Sequence, residues 1–233
     1  MRLITIDNGN SNPHVGIFQN EKLIKVIPLK EYSQLADDYL LVSDVGSPLS
    51  LKASFDLKKI RHTKENPKFL DMPVQYSETL GDDRLFLAYF IFKNLKSKEA
   101  VLAIDAGTFI TMDLINEKGF QGGFIFPGEK TFLNSYQKGS KLPVVDQRVA
   151  LENAFALSTE EAIFGALNIY LDSILETVIK KAAPARIIIT GGSHEIIENK
   201  ILNLNLVNQL ESDPHLIHRA LALIYQRYLR SKE

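Results

Sequence analysis

The chain has 233 residues, a formal net charge of −1 and no cysteine. This length accommodates one large α/β domain or two small ones, and the near-neutral charge gives no indication of nucleic-acid binding. The lack of cysteine excludes disulfides, a thiol nucleophile and thiolate metal sites. We expect the basic cluster of Lys58, Lys59, Arg61 and His62 to be a solvated surface.

Segments that would target the chain to a membrane are not indicated. The N-terminal apolar run is short and meets Asp7, whereas a signal peptide needs a longer apolar region and a cleavage site. No apolar run approaches the ~20 residues that span a bilayer. We therefore expect a soluble cytoplasmic protein without a membrane partner.

The N-terminal region predicts a β-meander followed by a buried strand. Residues 2–6 are apolar and lead into a polar turn at 7–12. Further strands are predicted over 14–18, 23–29 and 38–43. Residues 50–75 give no clear pattern beyond short strands.

The remainder of the chain predicts alternating helices and strands. Residues 83–95 are apolar nearly all round, which indicates a buried helix. Ser158 and Glu161 have the spacing of a capping box before a helical apolar stripe that begins at Ile163. Strands are predicted over 100–104, 109–115, 119–126 and 186–190, and an amphipathic helix over 216–229.

One plan occurs twice in the sequence. An apolar strand, an Asp-x-Gly turn and a second apolar strand occur around Asp7 and again around Asp105, 98 positions later. This spacing is too long for a solenoid repeat. It predicts two similar α/β halves that arose by duplication.

The two Asp-x-Gly turns are candidates for a phosphate site. Glycine allows a phosphate to approach the backbone, and successive N–H groups can form an anion-binding concavity. Asp7 and Asp105 could hold Mg²⁺, which prefers one or two carboxylates plus substrate phosphates, while Ser11 and Thr108 add hydroxyl donors. A plain hairpin turn is the better explanation of one copy alone, whereas two copies favour a cleft that grips a polyphosphate. Neither a P-loop nor protein-kinase motifs occur.

A Gly81-Asp82-Asp83-Arg84 segment opens the predicted buried helix. Asp83 could accept the proton of an attacking hydroxyl, and Arg84 could clamp a carboxylate. The alternative is an N-cap with a surface arginine, in which Asp82 is the better candidate for the cap. The glycines at 122–128 and 191–192 are explained either by close backbone approach to a ligand or by ordinary turns. The histidines show no metal-ligand spacing.

Together these motifs resemble the type III pantothenate kinase family, which includes Bvg-accessory-factor-like proteins and belongs to the actin/hexokinase-like ATPase superfamily. The matches follow the family order: D-x-G-N-[TS]-N at 7–12, G-x-D-R at 81–84 after Tyr76, D-x-G-T-x-x-T-x-D at 105–113, G-G-x-I-x-P-G at 122–128, Leu-Pro at 142–143, T-E-E-A-I from Thr159, and T-G-G at 190–192.

The resemblance implies an α/β fold of two actin/ribonuclease-H-like halves with mixed sheets flanked by helices. Residues 1–98 would carry the first phosphate loop and the acceptor motif, and residues 99–233 the second phosphate loop, with the last helix packing back on the first half. The implied activity is transfer of the ATP γ-phosphate to the hydroxyl of pantothenate, the first step of coenzyme A biosynthesis. Mg²⁺, a monovalent cation (K⁺ or NH₄⁺) and a homodimer are implied as well.

The resemblance also implies individual roles. Asp83 would be the general base, and the pantothenate-binding residues would be Tyr76, Gly81, Asp83, Arg84 and Thr159. The ATP phosphates and nucleotide would be bound by Asp7, Asn8, Gly9, Asn10, Ser11, Asn12, Asp105, Gly107, Thr108, Gly191 and Gly192. Asp7 would hold Mg²⁺, Asp105 Mg²⁺ or the monovalent cation, and Asp113 the monovalent cation.

Some positions depart from the family pattern. Pro13 and His14 replace small polar residues after the first turn, and Phe109 stands beside the second phosphate loop, where it could narrow the nucleotide site or point into the core. A catalytically reduced accessory protein and another actin-like phosphotransferase are therefore alternatives. The first is disfavoured by the joint presence of four residues, Asp7, Asp83, Arg84 and Asp105. The Gly-x-Asp-Arg match argues against the second.

Overall fold

The N-terminal sheet has four strands. The computed structural model of the protein describes residues 2–139, 141–145, 153–205 and 209–229. The strands are β1 (Arg2–Asn8), β2 (His14–Gln19), β3 (Lys22–Pro28) and β4 (Asp38–Asp44). They lie in the order β3-β2-β1-β4, with β1 antiparallel to β2 and parallel to β4. A small hairpin of β5 (Lys68–Phe69) and β6 (Met72–Pro73) follows.

The second sheet repeats this arrangement and adds a strand. Its strands are β7 (Val101–Ala106), β8 (Phe109–Asn116), β9 (Gly119–Pro127), β10 (Arg186–Thr190) and β11 (Leu210–Ser212). Their order is β9-β8-β7-β10-β11, with β7 antiparallel to β8 and parallel to β10. Each sheet thus places its first strand between a hairpin partner and a parallel partner. The prediction of two similar α/β halves is confirmed.

Helices connect and cover the sheets. They are α1 (Asp82–Lys93), α2 (Glu129–Ser135), α3 (Thr159–Ala182), α4 (His194–Leu204) and α5 (Leu216–Ile224), which continues as a π-helical turn over Tyr225–Leu229. The predicted capping box is present, because Ser158 Oγ accepts a hydrogen bond from the Glu161 N–H at 3.2 Å and starts α3.

The central core lies between the two sheets and is built on α1 and α5. Leu85 and Phe86 of α1 and Leu221 of α5 pack with Leu41 of the first sheet and Ile188 of the second. This position explains why α1 is apolar nearly all round, since sheets and helices contact it from several sides. A second core lies between α3, α4 and the outer face of the second sheet, and a smaller one covers the outer face of the first sheet.

One helix in the described part of the chain, α3, has the length and apolar composition of a membrane span. Its buried side chains, which include Phe164, Leu171 and Leu175, pack on the second sheet. The helix is therefore placed as a core helix of a globular protein is placed, with one face on a sheet.

Candidate active site

The two Asp-x-Gly turns meet at one edge of the molecule. Asp7 lies at the end of β1 and Asp105 at the end of β7, the central strands of the two sheets. Ser11 Oγ lies 2.6 Å from Thr108 Oγ1, although these residues are 97 positions apart. The duplicated turns predicted from the sequence therefore form the two sides of one site.

The carboxylates of this site raise one another's pKa, because each negative charge disfavours the ionisation of its neighbours. Burial, together with the charge of Asp83, raises the pKa of Asp7 to about 7. Burial and the charges of Asp83, Asp7 and Asp113 raise the pKa of Asp105 to about 8. Among the described residues no cationic side chain forms an ion pair with Asp105. The site therefore concentrates negative charge that a bound cation would neutralise.

Asp83 reaches this cluster from the first turn of α1. Burial raises the pKa of Asp83, while the Arg84 backbone N–H, which donates to Asp83 Oδ1 at 2.8 Å, acts in the opposite direction. A Cβ on Gly81 would lie 2.5 Å from Asp83 Oδ1, so glycine makes room for the carboxylate. The G-x-D-R spacing thus has a structural reason at its first position.

The alternative in which Asp82 caps α1 is excluded. Gly81 occupies the N-cap position without a side-chain bond, and Asp82 is a buried helical residue that pairs with Arg61. The Arg61 guanidinium also donates to the Leu80 carbonyl oxygen. A buried ion pair, and not a cap, therefore fixes the start of α1.

The expectation that the basic cluster is a solvated surface is wrong for two of its members. His62 is buried and its Nε2 lies 3.0 Å from the Ser77 carbonyl oxygen. Arg61 is partly buried and its charge lowers the pKa of Asp83. Arg61 is thus a site residue that the sequence analysis missed. In the sequence Arg61 belongs only to a run of basic residues, because the tertiary fold, and not the local sequence, brings its partner Asp82 to it.

Arg84 and Asp113 form a buried ion pair beside the carboxylates. Arg84 Nε donates to Asp113 Oδ2 at 2.9 Å, and Arg84 Nη2 donates to Asp113 Oδ1 at 2.5 Å. The guanidinium also lies 5.1 Å from the Tyr76 ring centroid and 5.8 Å from that of Phe120. Burial raises the pKa of Asp113 to about 6 against the effect of Arg84. Two of the three guanidinium nitrogens of Arg84 are thus used within the protein.

Glycines allow the walls of the site to approach closely. A Cβ on Gly123 would lie 2.0 Å from Asp113 Oδ1, and one on Gly128 would lie 2.3 Å from the Gly107 carbonyl oxygen. Gly191 has a φ of +89°, and a Cβ there would lie 2.4 Å from Asp105 Oδ1. The glycine segments therefore serve close packing around the aspartates, and not merely turns.

The remaining predicted residues differ in what they can contact. The Asn8 amide donates to Asp44 Oδ1 and to the Ser47 carbonyl oxygen, both at 2.7 Å, so only its backbone is available to a phosphate. Asn10 and Asn12 are exposed in the first turn. Gly192 faces open space. Thr159 is exposed at the start of α3, and no hydrogen bond in the described residues joins its side chain to Tyr76, Gly81 or Arg84.

Phe109 and His14 occupy different environments. The Phe109 side chain is 44% exposed, so the alternative in which it points into the core is excluded. It follows the second Asp-x-Gly turn, where Gly107 N–H donates to the Phe109 carbonyl oxygen at 3.0 Å.

His14 is partly buried, and its Nε2 lies 3.6 Å from Asp7 Oδ2.

The residues of the site fit a Mg²⁺-phosphate complex better than a cage made by protein alone. No group of three or more His, Asp or Glu in the described parts of the chain is arranged to hold a metal ion. Asp7 and Asp105 nevertheless present partly buried carboxylates, and no lysine or arginine in the described residues pairs with either. One or two carboxylates completed by substrate phosphates are the usual environment of Mg²⁺.

Comparison with known sequences identifies relatives along nearly the whole chain. The family model described as type III pantothenate kinase matches residues 50–181. A protein named type III pantothenate kinase from Aquifex aeolicus is 28% identical over 251 residues, covering 99% of this chain and 100% of that protein. A relative of the same name from Persephonella marina is 28% identical over 232 residues, covering 84% of this chain and 89% of the relative.

Comparison with solved structures concerns the fold alone. A Campylobacter jejuni protein described as a Baf family transcriptional activator aligns with a TM-score of 0.62 at 20% identity, covering 99% of this chain and 100% of its own. A Sinorhizobium meliloti protein described as a 2-dehydro-3-deoxygalactonokinase aligns with a TM-score of 0.58 at 11% identity, covering 96% and 98%. Both therefore share the two-sheet α/β fold of this chain.

Proposed function

Because the chain belongs to the type III pantothenate kinase family, we propose that it transfers the γ-phosphate of ATP to the hydroxyl of pantothenate, the first step of coenzyme A biosynthesis. ATP is then the co-substrate, and the enzyme acts in the cytoplasm. The product is phosphopantothenate, and ADP leaves.

The convergence of Asp83 on the two phosphate turns carries this proposal. The charge of Asp83 contributes to the raised pKa of Asp7 and of Asp105, so its carboxylate lies within electrostatic reach of both strand ends. A hydroxyl bound against Asp83 would therefore face a phosphate held between the turns. Such positioning, with charge neutralisation, is most of what phosphoryl transfer requires.

Asp83 is proposed as the general base. The acceptor oxygen forms a bond to the γ-phosphorus, the bond from that phosphorus to the bridging oxygen of ADP breaks, and Asp83 takes the hydroxyl proton. The bond from Arg84 N–H holds one oxygen of Asp83 and thereby orients the other. A positioned base typically contributes ~10²–10⁴-fold to the rate.

The acceptor pocket is proposed to contain Tyr76, Gly81, Arg84 and Thr159. Arg84 retains one guanidinium nitrogen without a bond to Asp113, and the Tyr76 side chain hydrogen-bonds to the same guanidinium. We propose that the pantothenate carboxylate binds at this nitrogen. The Tyr76 ring lies against the same guanidinium and limits its freedom. Asn10, Ser11 and Asn12 with Gly9, and Thr108 with Gly107, are proposed to surround the phosphates, and Gly191 and Gly192 to approach the nucleotide.

Two cations are proposed. Asp7 and Asp105 would hold Mg²⁺, which neutralises phosphate charge when bound. Asp105 is also our first candidate for the monovalent cation, K⁺ or NH₄⁺. Asp113 is the second candidate, since both of its oxygens already accept hydrogen bonds from Arg84.

We propose a homodimer on the basis of exposed apolar side chains. Strand β9 lies at an edge of its sheet, where unpaired backbone groups favour association. It carries Phe124 and Ile125, which are exposed. Further exposed apolar residues of the second half are Val144, Phe155, Leu157 and Ile169. Light scattering across the assay concentrations tests this, and a monomer throughout would contradict it.

The decisive assay incubates the purified protein with ATP, Mg²⁺, K⁺ and pantothenate, and detects phosphopantothenate by mass spectrometry. Separate reactions omit Mg²⁺ or K⁺, or replace pantothenate with glucose as a sugar acceptor. We expect product only with pantothenate and with both cations present. Product with the sugar alone would favour another actin-like phosphotransferase. ATP binding without any product would favour an accessory protein of the same fold.

A further inference from the structure

A chain of hydrogen-bonded side chains leads from the core to Asp7. Thr5 Oγ1 lies 2.8 Å from His218 Nδ1, and His218 Nε2 lies 2.9 Å from His14 Nδ1. His14 Nε2 in turn faces Asp7 Oδ2 at 3.6 Å. Thr5 and His218 are fully buried, so the inner end of this chain has no contact with solvent.

Strand register explains why these four side chains meet. Asp7 pairs with His14, and Thr5 pairs with Gly16, in the antiparallel ladder of β1 and β2. Opposed residues, and residues two apart on one strand, project from the same face of a sheet. Gly16 leaves a gap on that face, because a Cβ there would lie 2.7 Å from the His218 ring and from Thr5 Oγ1. His218 enters this gap from α5.

The directions of the hydrogen bonds follow from the proton inventory. Burial lowers the pKa of His218 to about 3, so this ring is neutral at neutral pH and above. A neutral imidazole has one donor and one acceptor nitrogen. If Thr5 donates to His218 Nδ1, then His218 Nε2–H donates to His14 Nδ1. The proton of His14 must then lie on Nε2, facing Asp7.

The opposite direction of donation along this chain of hydrogen bonds is less favourable. It would require Thr5 to donate to the Gly16 carbonyl oxygen, at the longer distance of 3.3 Å, and to accept from His218. His14 would then turn a lone pair toward the Asp7 carboxylate, which is ionised above its pKa of about 7. Two acceptors facing each other repel, and the buried end of the chain offers no water to relieve this.

We propose that His14 is a positioning residue for Asp7, with its Nε2–H directed at the carboxylate by the chain through His218 and Thr5. The contact of 3.6 Å is longer than a hydrogen bond, so in this structure an N–H dipole faces a charge. Such bonds often tighten only when substrate binds. The proposal rests on the proposed function in taking Asp7 as the carboxylate that serves Mg²⁺ and phosphate.

Histidine tautomers give a direct test that needs no turnover. Protein labelled with ¹⁵N-histidine is studied without ligand by long-range ¹H–¹⁵N correlation above pH 8, where Asp7 is ionised, and single His→Gln variants assign the signals. We expect both His14 and His218 to be neutral with the proton on Nε2. A proton on Nδ1 of either ring would overturn the proposal, whether or not the protein phosphorylates pantothenate.

Variants test the consequence for binding. His218→Phe fills the same space and breaks the chain, and His14→Phe removes the donor that faces Asp7. We expect each to weaken Mg²⁺-ATP binding about 3- to 10-fold by calorimetry, which corresponds to the loss of about one ordinary hydrogen bond. His14→Gln, which keeps an N–H donor, should recover part of this. Unchanged affinity in both Phe variants would contradict the proposal.

A third histidine provides the matched control. His215 lies in the same cluster, with its ring centroid 6.3 Å from that of His14, but forms no bond in the chain. His215→Gln should leave the tautomer of His14 and the Mg²⁺-ATP affinity within about 2-fold of the parent. An effect as large as that of His218→Phe would mean that packing of the cluster, and not the direction of the chain, matters.

Discussion

Replacing Asp105 by Asn is expected to stabilise the ligand-free protein while abolishing its activity. Burial is the largest cause of the raised pKa of Asp105, and the charges of three other aspartates add to it. Keeping Asp105 in the folded protein, either charged or protonated, therefore costs free energy of folding. An amide of the same shape removes that cost together with the ability to hold a cation.

The size of the expected stabilisation follows from the pKa of Asp105. Asp105 is raised from 3.8 to about 8, so at pH 7 the gap of roughly 3 pH units, at ~1.4 kcal/mol each, gives an upper bound of about 4 kcal/mol. The amide retains some cost of burial, which leaves an expected gain of about 2 to 4 kcal/mol. For a chain of this size, the melting temperature should rise by about 4 to 12 °C.

The stability gained by Asp105→Asn should depend on pH. A carboxyl whose pKa is raised on folding destabilises the protein only above its unfolded pKa, and increasingly so until the folded pKa is passed. The advantage of Asp105→Asn should therefore be absent near pH 4, grow up to about pH 8 and remain constant above it. Urea denaturation of both proteins at several pH values measures this.

A surface aspartate serves as control. Asp172→Asn removes the exposed ion pair with Lys200, whose atoms lie 2.7 Å apart, and should change the free energy of unfolding by less than ~1 kcal/mol. The reasoning is refuted if Asp105→Asn is no more stable than the parent at pH 8, or if its gain is the same at pH 4 and pH 8. Saturating Mg²⁺-ATP should narrow the difference, because only the parent gains a neutralising cation.

Three further substitutions address the rest of the site. Asp83→Asn should lower kcat by ~10²–10⁴-fold without lowering the melting temperature, and a collapse of the fold would instead indicate a structural role. Arg84→Met leaves Asp113 buried without its partner and should cost about 3–5 kcal/mol in urea; a smaller loss would mean that water reaches the carboxylate. Gly128→Ala places a Cβ 2.3 Å from the Gly107 carbonyl oxygen and should therefore raise the KM for ATP more than the KM for pantothenate. Steady-state kinetics measure both constants, and an equal rise in the two would contradict this prediction.

The duplicated architecture could be predicted from the sequence because its signals are local. Apolar runs that end in Asp-x-Gly turns mark β1 and β7, and their strand periodicity does not depend on the partner. The G-x-D-R segment likewise lies within one turn of α1. The meeting of the two turns through Ser11 and Thr108 was inferred from the repeat, and the structure adds the contact itself.

The parts that could not be predicted depend on distant partners. The pairing of Arg61 with Asp82 and of Arg84 with Asp113 turns residues that look like surface charges into buried ion pairs. Gly16 has no pattern that announces a gap for His218, because that gap is completed by a helix 200 residues later. Helices α2 and α4 and the short strand β11 were also missed, since short elements carry weak periodicity.

The position of α5 has a consequence for how the chain acquires its structure during synthesis. Thr5 finds its partner in His218, 213 positions further along, and the core shared by both sheets needs Leu221 from the same helix. A ribosome-bound chain that lacks this helix leaves one face of the first sheet uncovered. Completion of the N-terminal half must therefore wait until α5 has been synthesised, and until then the nascent chain exposes the surface that a chaperone would bind.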